Sequence, residues 1–128
     1  MKKIYRIVCM FVIIVLSIGF TTTYAASWYF VTANSEGTEF YYVDNASVIK
    51  NNYRAFVWIK DVKPDGSKNL GRFYITHSPK TMALTSYVDY DSDGNAIDSG
   101  TIPINMQQSI LIAPDSVAEA IWYCIWPN

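Results

Sequence analysis

From Trp28 onward, a short run of aromatic and β-branched residues gives way to a turn signal about every ten residues. The runs are 28–32, 39–43, 53–62, 70–77, 82–90 and 95–99. Between the third and fourth stands Lys63-Pro64-Asp65-Gly66, and between the fifth and sixth Asp91-Ser92-Asp93-Gly94-Asn95. Pro fixes φ and Gly accepts a positive φ, as hairpin turns require, so the chain is constrained to an antiparallel β-sheet. There are no internal repeats, low-complexity tracts or long linkers to suggest a second unit.

Segment 53–60 shows how such a sheet is used. Tyr53, Ala55, Val57 and Ile59 make one continuous apolar face, while Arg54, Phe56, Trp58 and Lys60 make the other. A sheet open to water on one side places polar residues there. Aromatic residues at 56 and 58 therefore predict a cover over that second face. The last segment supplies a candidate. Ser116 with Glu119 three residues on is a capping box opening a helix, Val117, Ala120, Ile121 and Cys124 share a helical face, and Pro127 ends it. A helix of about ten residues is unstable alone and must dock. Burial of Val117 and Ile121 contributes roughly 1.5–3 kcal/mol each. The expected fold is α+β: a single domain with an about six-stranded antiparallel β-sheet and a C-terminal helix packed on one face.

Residues 1–25 read as a signal peptide. Met1-Lys2-Lys3 and Arg6 precede an uncharged 14-residue run over 7–20, and Thr23 and Ala25 suit a cleavage site. A membrane-spanning helix needs about 20 apolar residues. The alternative is an uncleaved N-terminal anchor. Cys9 lies inside the apolar run, where lipid attachment is not expected. The chain is thus read as exported, to the periplasm, the cell surface or the medium, with 26–128 as its domain and no transmembrane segment in the mature chain.

That domain has 103 residues, seven cations and eleven acids, a net charge of −4. It is not built to coat nucleic acid, which requires surplus Lys and Arg. It keeps one cysteine, Cys124, so no internal disulfide forms, and Cys124 is expected to be a buried free thiol. Sixteen aromatic residues can supply the core instead.

The order of features resembles the surface-adhesin protein E domain family over nearly all of 27–128. The match begins with Ser27-Trp28-Tyr29-Phe30-Val31 and continues through the Tyr-rich strand and Ser-Val-Ile-Lys step of 36–50. It then takes in Ala55-Phe56-Val57-Trp58-Ile59, Tyr90-Asp91-Ser92-Asp93-Gly94, and Ala113-Pro114-Asp115-Ser116-Val117-Ala118-Glu119-Ala120 with a terminal Cys. The resemblance implies a six-stranded sheet with a C-terminal helix, in a bacterial surface protein that binds host extracellular-matrix and serum proteins. It also implies a disulfide from the terminal Cys to a mid-chain Cys, but His77 stands at that mid-chain position here. Losing such a tether forfeits typically about 2–4 kcal/mol. Packing by Trp122, Tyr123 and Trp126 is the expected offset.

Several constellations bear on function. Lys60, Lys63, Lys68 and Arg72 cluster around one hairpin, a candidate contact for an acidic protein partner or glycosaminoglycan, against a plain solvated hairpin. Phe56, Trp58, Tyr74 and Tyr87 are candidates to line an aromatic groove between sheet and helix for a haem-like ligand, against ordinary core packing. Asp89, Asp91, Asp93 and Gly94 match the first half of a calcium loop, but the position of its bidentate Glu is Gly100, so a hairpin turn is preferred. His77 is the only histidine, and no partner motif surrounds it. No nucleophile motif or phosphate-cradling loop is present, so the reading is a non-catalytic binding module with no cofactor and no metal.

Overall fold

The structure, a computed structural model, describes residues 25–127. Apart from Ala25, the expected signal peptide lies outside them. Among the described residues there are eight strands and a C-terminal helix. The strands are β1 (Trp28–Ala33), β2 (Phe40–Asp44), β3 (Ile49–Lys50), β4 (Arg54–Val62), β5 (Lys68–Thr76), β6 (Thr81–Tyr90), β7 (Ala96–Thr101) and β8 (Ile110–Leu111). The helix is α1 (Val117–Ile125). All strand pairs are antiparallel. The order across the sheet is β1-β2-β4-β5-β6-β7, with β3 beside β4 and β8 beside β6. The strand count thus exceeds the expected six. The two additions, β3 and β8, are two residues long each and lack any periodicity that could announce them. No helix of the described residues is long and apolar enough to cross a membrane.

The turns use their sequences as the chemistry requires. Between β4 and β5, Gly66 adopts φ +87° and its N–H donates to Lys63 O at 3.0 Å, while Lys63 N–H donates to Ser67 O at 2.9 Å. Asp65 Oδ1 accepts from both the amide and the hydroxyl of Ser67. The Asp-rich turn before β7 works the same way, with Asp91 Oδ1 accepting from the amides of Asp93 and Asn95. Asp89 is occupied by Asn69, whose amide donates to it at 2.6 Å. Among the described residues, no three His, Cys, Asp or Glu side chains converge as a metal site.

The core lies on one side of the sheet. Val43 on β2, Ala55, Val57 and Ile59 on β4, and Ile75 on β5 meet Ile121, Trp122 and Ile125 of α1. The helix therefore covers the wholly apolar face of β4, not the Phe56–Trp58 face for which a cover was expected. Its own buried stripe also differs from expectation. Ile121, Trp122 and Ile125 are buried, with Val117 and Ala118 packed beside them, while Cys124 is an exposed free thiol rather than a buried one. The large side chains decide the rotation of α1, because turning Trp122 and Ile125 inward removes more apolar area from water than burying Ala120 and Cys124.

Aromatic packing stands where the resemblance would place a disulfide. His77 stacks against Trp122 and Trp126, with ring centroids 4.9 and 5.2 Å apart. Both indoles are anchored: Trp122 Nε1 donates to Thr76 O at 3.2 Å and Trp126 Nε1 to Asn51 O at 2.9 Å. Lys50 donates to the carbonyl of Ile125 in the last helical turn, where a cation suits the unpaired carbonyls. At the other end, Ser116 Oγ accepts from Glu119 N–H at 3.1 Å. The return bond of the capping box goes one residue upstream, from Asp115 N–H to Glu119 Oε1. Ser116→Ala is expected to lower stability by about 1 kcal/mol in urea unfolding. An unchanged midpoint would mean that the cap bond is replaced by water at no cost.

Candidate binding face

Strand register decides which candidate residues meet. Residues directly opposite in adjacent strands share a face, and side chains alternate along each strand. Phe56 pairs with Tyr74, Trp58 with Arg72, Lys60 with Leu70, and Val62 with Lys68. On the other flank Tyr42 pairs with Lys60, and Phe30 with Tyr42. All these side chains lie on the face opposite α1. The basic and aromatic candidates thus merge: Lys60, Lys68 and Arg72 stand among Phe56, Trp58 and Tyr74 on a single open surface. It extends through Tyr42, Phe40, Phe30 and Trp28 to the β1 edge.

Cations and rings interleave closely there. Lys60 Nζ lies 4.5 Å from the Trp28 ring centroid and 4.8 Å from that of Tyr42. The Arg72 guanidinium lies 4.6 Å from the Phe56 ring, which packs on Tyr74 at 5.1 Å. The Phe30 ring meets those of Tyr42 and Phe40 at 5.7 and 6.2 Å. Burial, and secondarily the charge of Lys68, lower the Lys60 pKa, which means that two ammonium groups and a set of aromatic walls share one neighbourhood. Phe30, Phe40 and Ile49 remain 49%, 37% and 64% exposed. Of the residues in register on this face of β1, β2, β4 and β5, one is acidic: Asp44. It is buried, and its Oδ1 accepts from the amides of Ser27 and Ala46 at 2.8 and 3.1 Å. Although the domain is acidic in sum, this face presents cations.

Two candidates fall outside it. Lys63 sits in the β4–β5 turn and pairs with Glu39 at 3.8 Å and Asp61 at 4.0 Å. Asp61 lies in register with the core residues of β4, so Lys63 serves the helix side of the sheet. Tyr87 also lies on the helix side, in a cleft beside α1. Phe56, Trp58, Tyr74 and Tyr87 therefore do not line one groove between sheet and helix; three of them are on the opposite surface. The residues that the sequence reading missed are Trp28, Phe30, Phe40 and Tyr42. Their two strands, β1 and β2, aromatic at alternate positions, carried the same signal as Phe56 and Trp58.

Aromatic rings interleaved with Lys and Arg can bind by stacking, cation–π contact and paired charge without any covalent step. No family model matches the chain, no curated protein and no solved structure matches it either, and the resemblance to the protein E adhesins stands on the motifs of this sequence alone.

Proposed function

We propose that this chain is an exported, non-catalytic binding module that holds a protein partner on its open sheet face, as the resemblance to surface adhesins implies. The observation that carries this reading is the single surface of Trp28, Phe30, Tyr42, Phe56, Trp58 and Tyr74 with Lys60, Lys68 and Arg72 set among them. Aromatic residues and Arg are the side chains that dominate protein–protein hot spots. A partner with acidic side chains beside apolar ones complements this face, in keeping with a matrix or serum protein at a bacterial surface.

The test is binding of the purified chain to immobilised matrix and serum proteins, vitronectin and laminin among them, at low and at physiological salt. Saturable binding that weakens with salt but persists is expected, since screening reduces the exposed charges and leaves the aromatic contacts. Lys60→Glu and Arg72→Glu are each expected to weaken it by about tenfold or more. Lys63→Gln, on the other side of the sheet, is expected to leave it unchanged. Equal loss from all three substitutions, or none from the first two, would remove the open face as the binding surface.

A further inference from the structure

The helix side of the sheet carries a second concavity. Where the first turns of α1 stand off from β4, β5 and β6, a cleft of about 330 Å³ opens. Its walls are Ile59, Phe73, Met82 and Leu84 from the sheet and Val117 and Ile121 from the helix. Gly71 makes the floor possible: a Cβ there would stand 2.6 Å from the Phe73 ring and 2.9 Å from Leu84. The lining is mostly apolar, with Tyr87 among it, and its one carboxylate, Asp61, stands with Tyr41 and Asn69.

Asp61 is the feature that the fold leaves unexplained. Its Oδ1 is buried and has no hydrogen-bond partner. Lys63, 4.0 Å from Oδ2, does not serve it, and Asn69 spends its amide on Asp89. A buried carboxylate oxygen without a donor is costly and rare in native proteins. Glu39 beside it adds a second negative charge, and the two acids have one cation, Lys63, between them. The two carboxylates therefore carry one more negative charge than Lys63 balances, next to an apolar space of small-molecule size.

We propose that this cleft binds a small amphipathic ammonium compound, its apolar body between the sheet and α1 and its cationic head paired with the Asp61–Glu39 carboxylates. This proposal does not rest on the open face, which lies across the sheet. The volume fits a body such as a phenylbutyl group, and the charge supplied is the one the Asp61–Glu39 pair lacks. Burial, followed by hydrogen bonding and charge from Glu39, raises the Asp61 pKa to about 6, with Lys63 opposing. The other polar side chains lining the cleft are Tyr41, Tyr87 and Asn69, the last tied to Asp89, and α1 contributes only Val117, Ala118 and Ile121. Below about pH 6 Asp61 takes up a proton and bonds to Glu39, so the ammonium head loses its anion.

The experiment titrates the full chain with 4-phenylbutylamine, 4-phenylbutanol and 4-phenylbutyrate by calorimetry at pH 7.5 and pH 5. The amine is expected to bind saturably, at least tenfold tighter than the alcohol and the carboxylate, as a charge-assisted hydrogen bond requires. Its affinity is expected to fall at pH 5 and in Asp61→Asn, which keeps the shape of the site. Ala118→Phe, which fills the cleft from the helix side, is expected to abolish binding of all three. Equal affinity for the three compounds, an amine affinity indifferent to Asp61→Asn, or no saturable binding by a folded chain would each overturn the proposal.

Discussion

Trp122→Ala is expected to cost about 3–5 kcal/mol of stability. Trp122 is 6% exposed and stands at the centre of the joint between α1 and the sheet. Its ring meets His77 at 4.9 Å, Trp126 at 5.4 Å and Tyr123 at 5.2 Å, and Lys80 Nζ lies 4.2 Å over it. Its Nε1 donates to Thr76 O at the end of β5. A nine-residue helix does not persist without its dock, and Cys124, free and exposed, offers no tether. Small domains hold only about 5–15 kcal/mol in all, so the variant approaches the limit of folding. Urea unfolding measures it, with Trp122→Phe as companion. That variant keeps a ring and loses the indole bond, so about 1–2 kcal/mol is expected. Equal losses from Ala and Phe would show that the hydrogen bond, not the packing, docks the helix.

The elements that sequence shows well are those with local causes. The six long strands and the Pro-Asp-Gly and Asp-Ser-Asp-Gly turns follow from alternation and turn chemistry, and helix α1 from its Ser116–Glu119 cap. The choices that depend on distant partners were not legible. Both faces of β4 carry apolar residues, so local pattern cannot tell which one α1 covers. That choice follows from Ile75 and Val43 lining the same side as Val57, a consequence of register. Likewise Ala120 and Cys124 fall on a plausible stripe with Ile121 until Thr76 O appears as the partner of Trp122.

Register also explains the composition of the open face. Lys60, Lys68 and Arg72 read as a charged hairpin, and Phe56, Trp58 and Tyr74 as a separate groove, because each set is split between β4 and β5 and only the pairing of the two strands joins them. Pairing Trp58 with Arg72 and Val62 with Lys68 places both sets on one surface. Part of this was present in the chain alone: Phe56, Trp58 and Lys60 share one parity within β4. The same parity rule sets Asp61 after Ala55, Val57 and Ile59, a carboxylate in line with core residues. That is the sequence trace of the acidic end of the cleft.

Asp61 makes stability depend on pH in the direction opposite to most carboxylates. Its pKa rises from the usual 3.8 to about 6 in the folded chain, first through burial, then through the hydrogen bond to and charge of Glu39, against the pull of Lys63. Between about pH 4 and pH 6 the folded state therefore holds a proton that the unfolded state has lost, so stability falls as pH rises through this window. The contribution is fully present below 3.8 and gone above about 6. Replacing Asp61 by Asn removes the titration and keeps a side chain able to donate to Glu39. The variant is expected to be more stable than the parent by about 2 kcal/mol at pH 7.5, allowing for the solvent that reaches this partly exposed side chain. At pH 4 the two are expected to coincide. Subtracting one unfolding curve from the other cancels the remaining carboxylates, Asp65 included, whose pKa the Ser67 hydrogen bonds pull down. A variant less stable than the parent at pH 7.5 would mean that the negative charge of Asp61 is already satisfied, and with it the reason for a cation in the cleft would disappear.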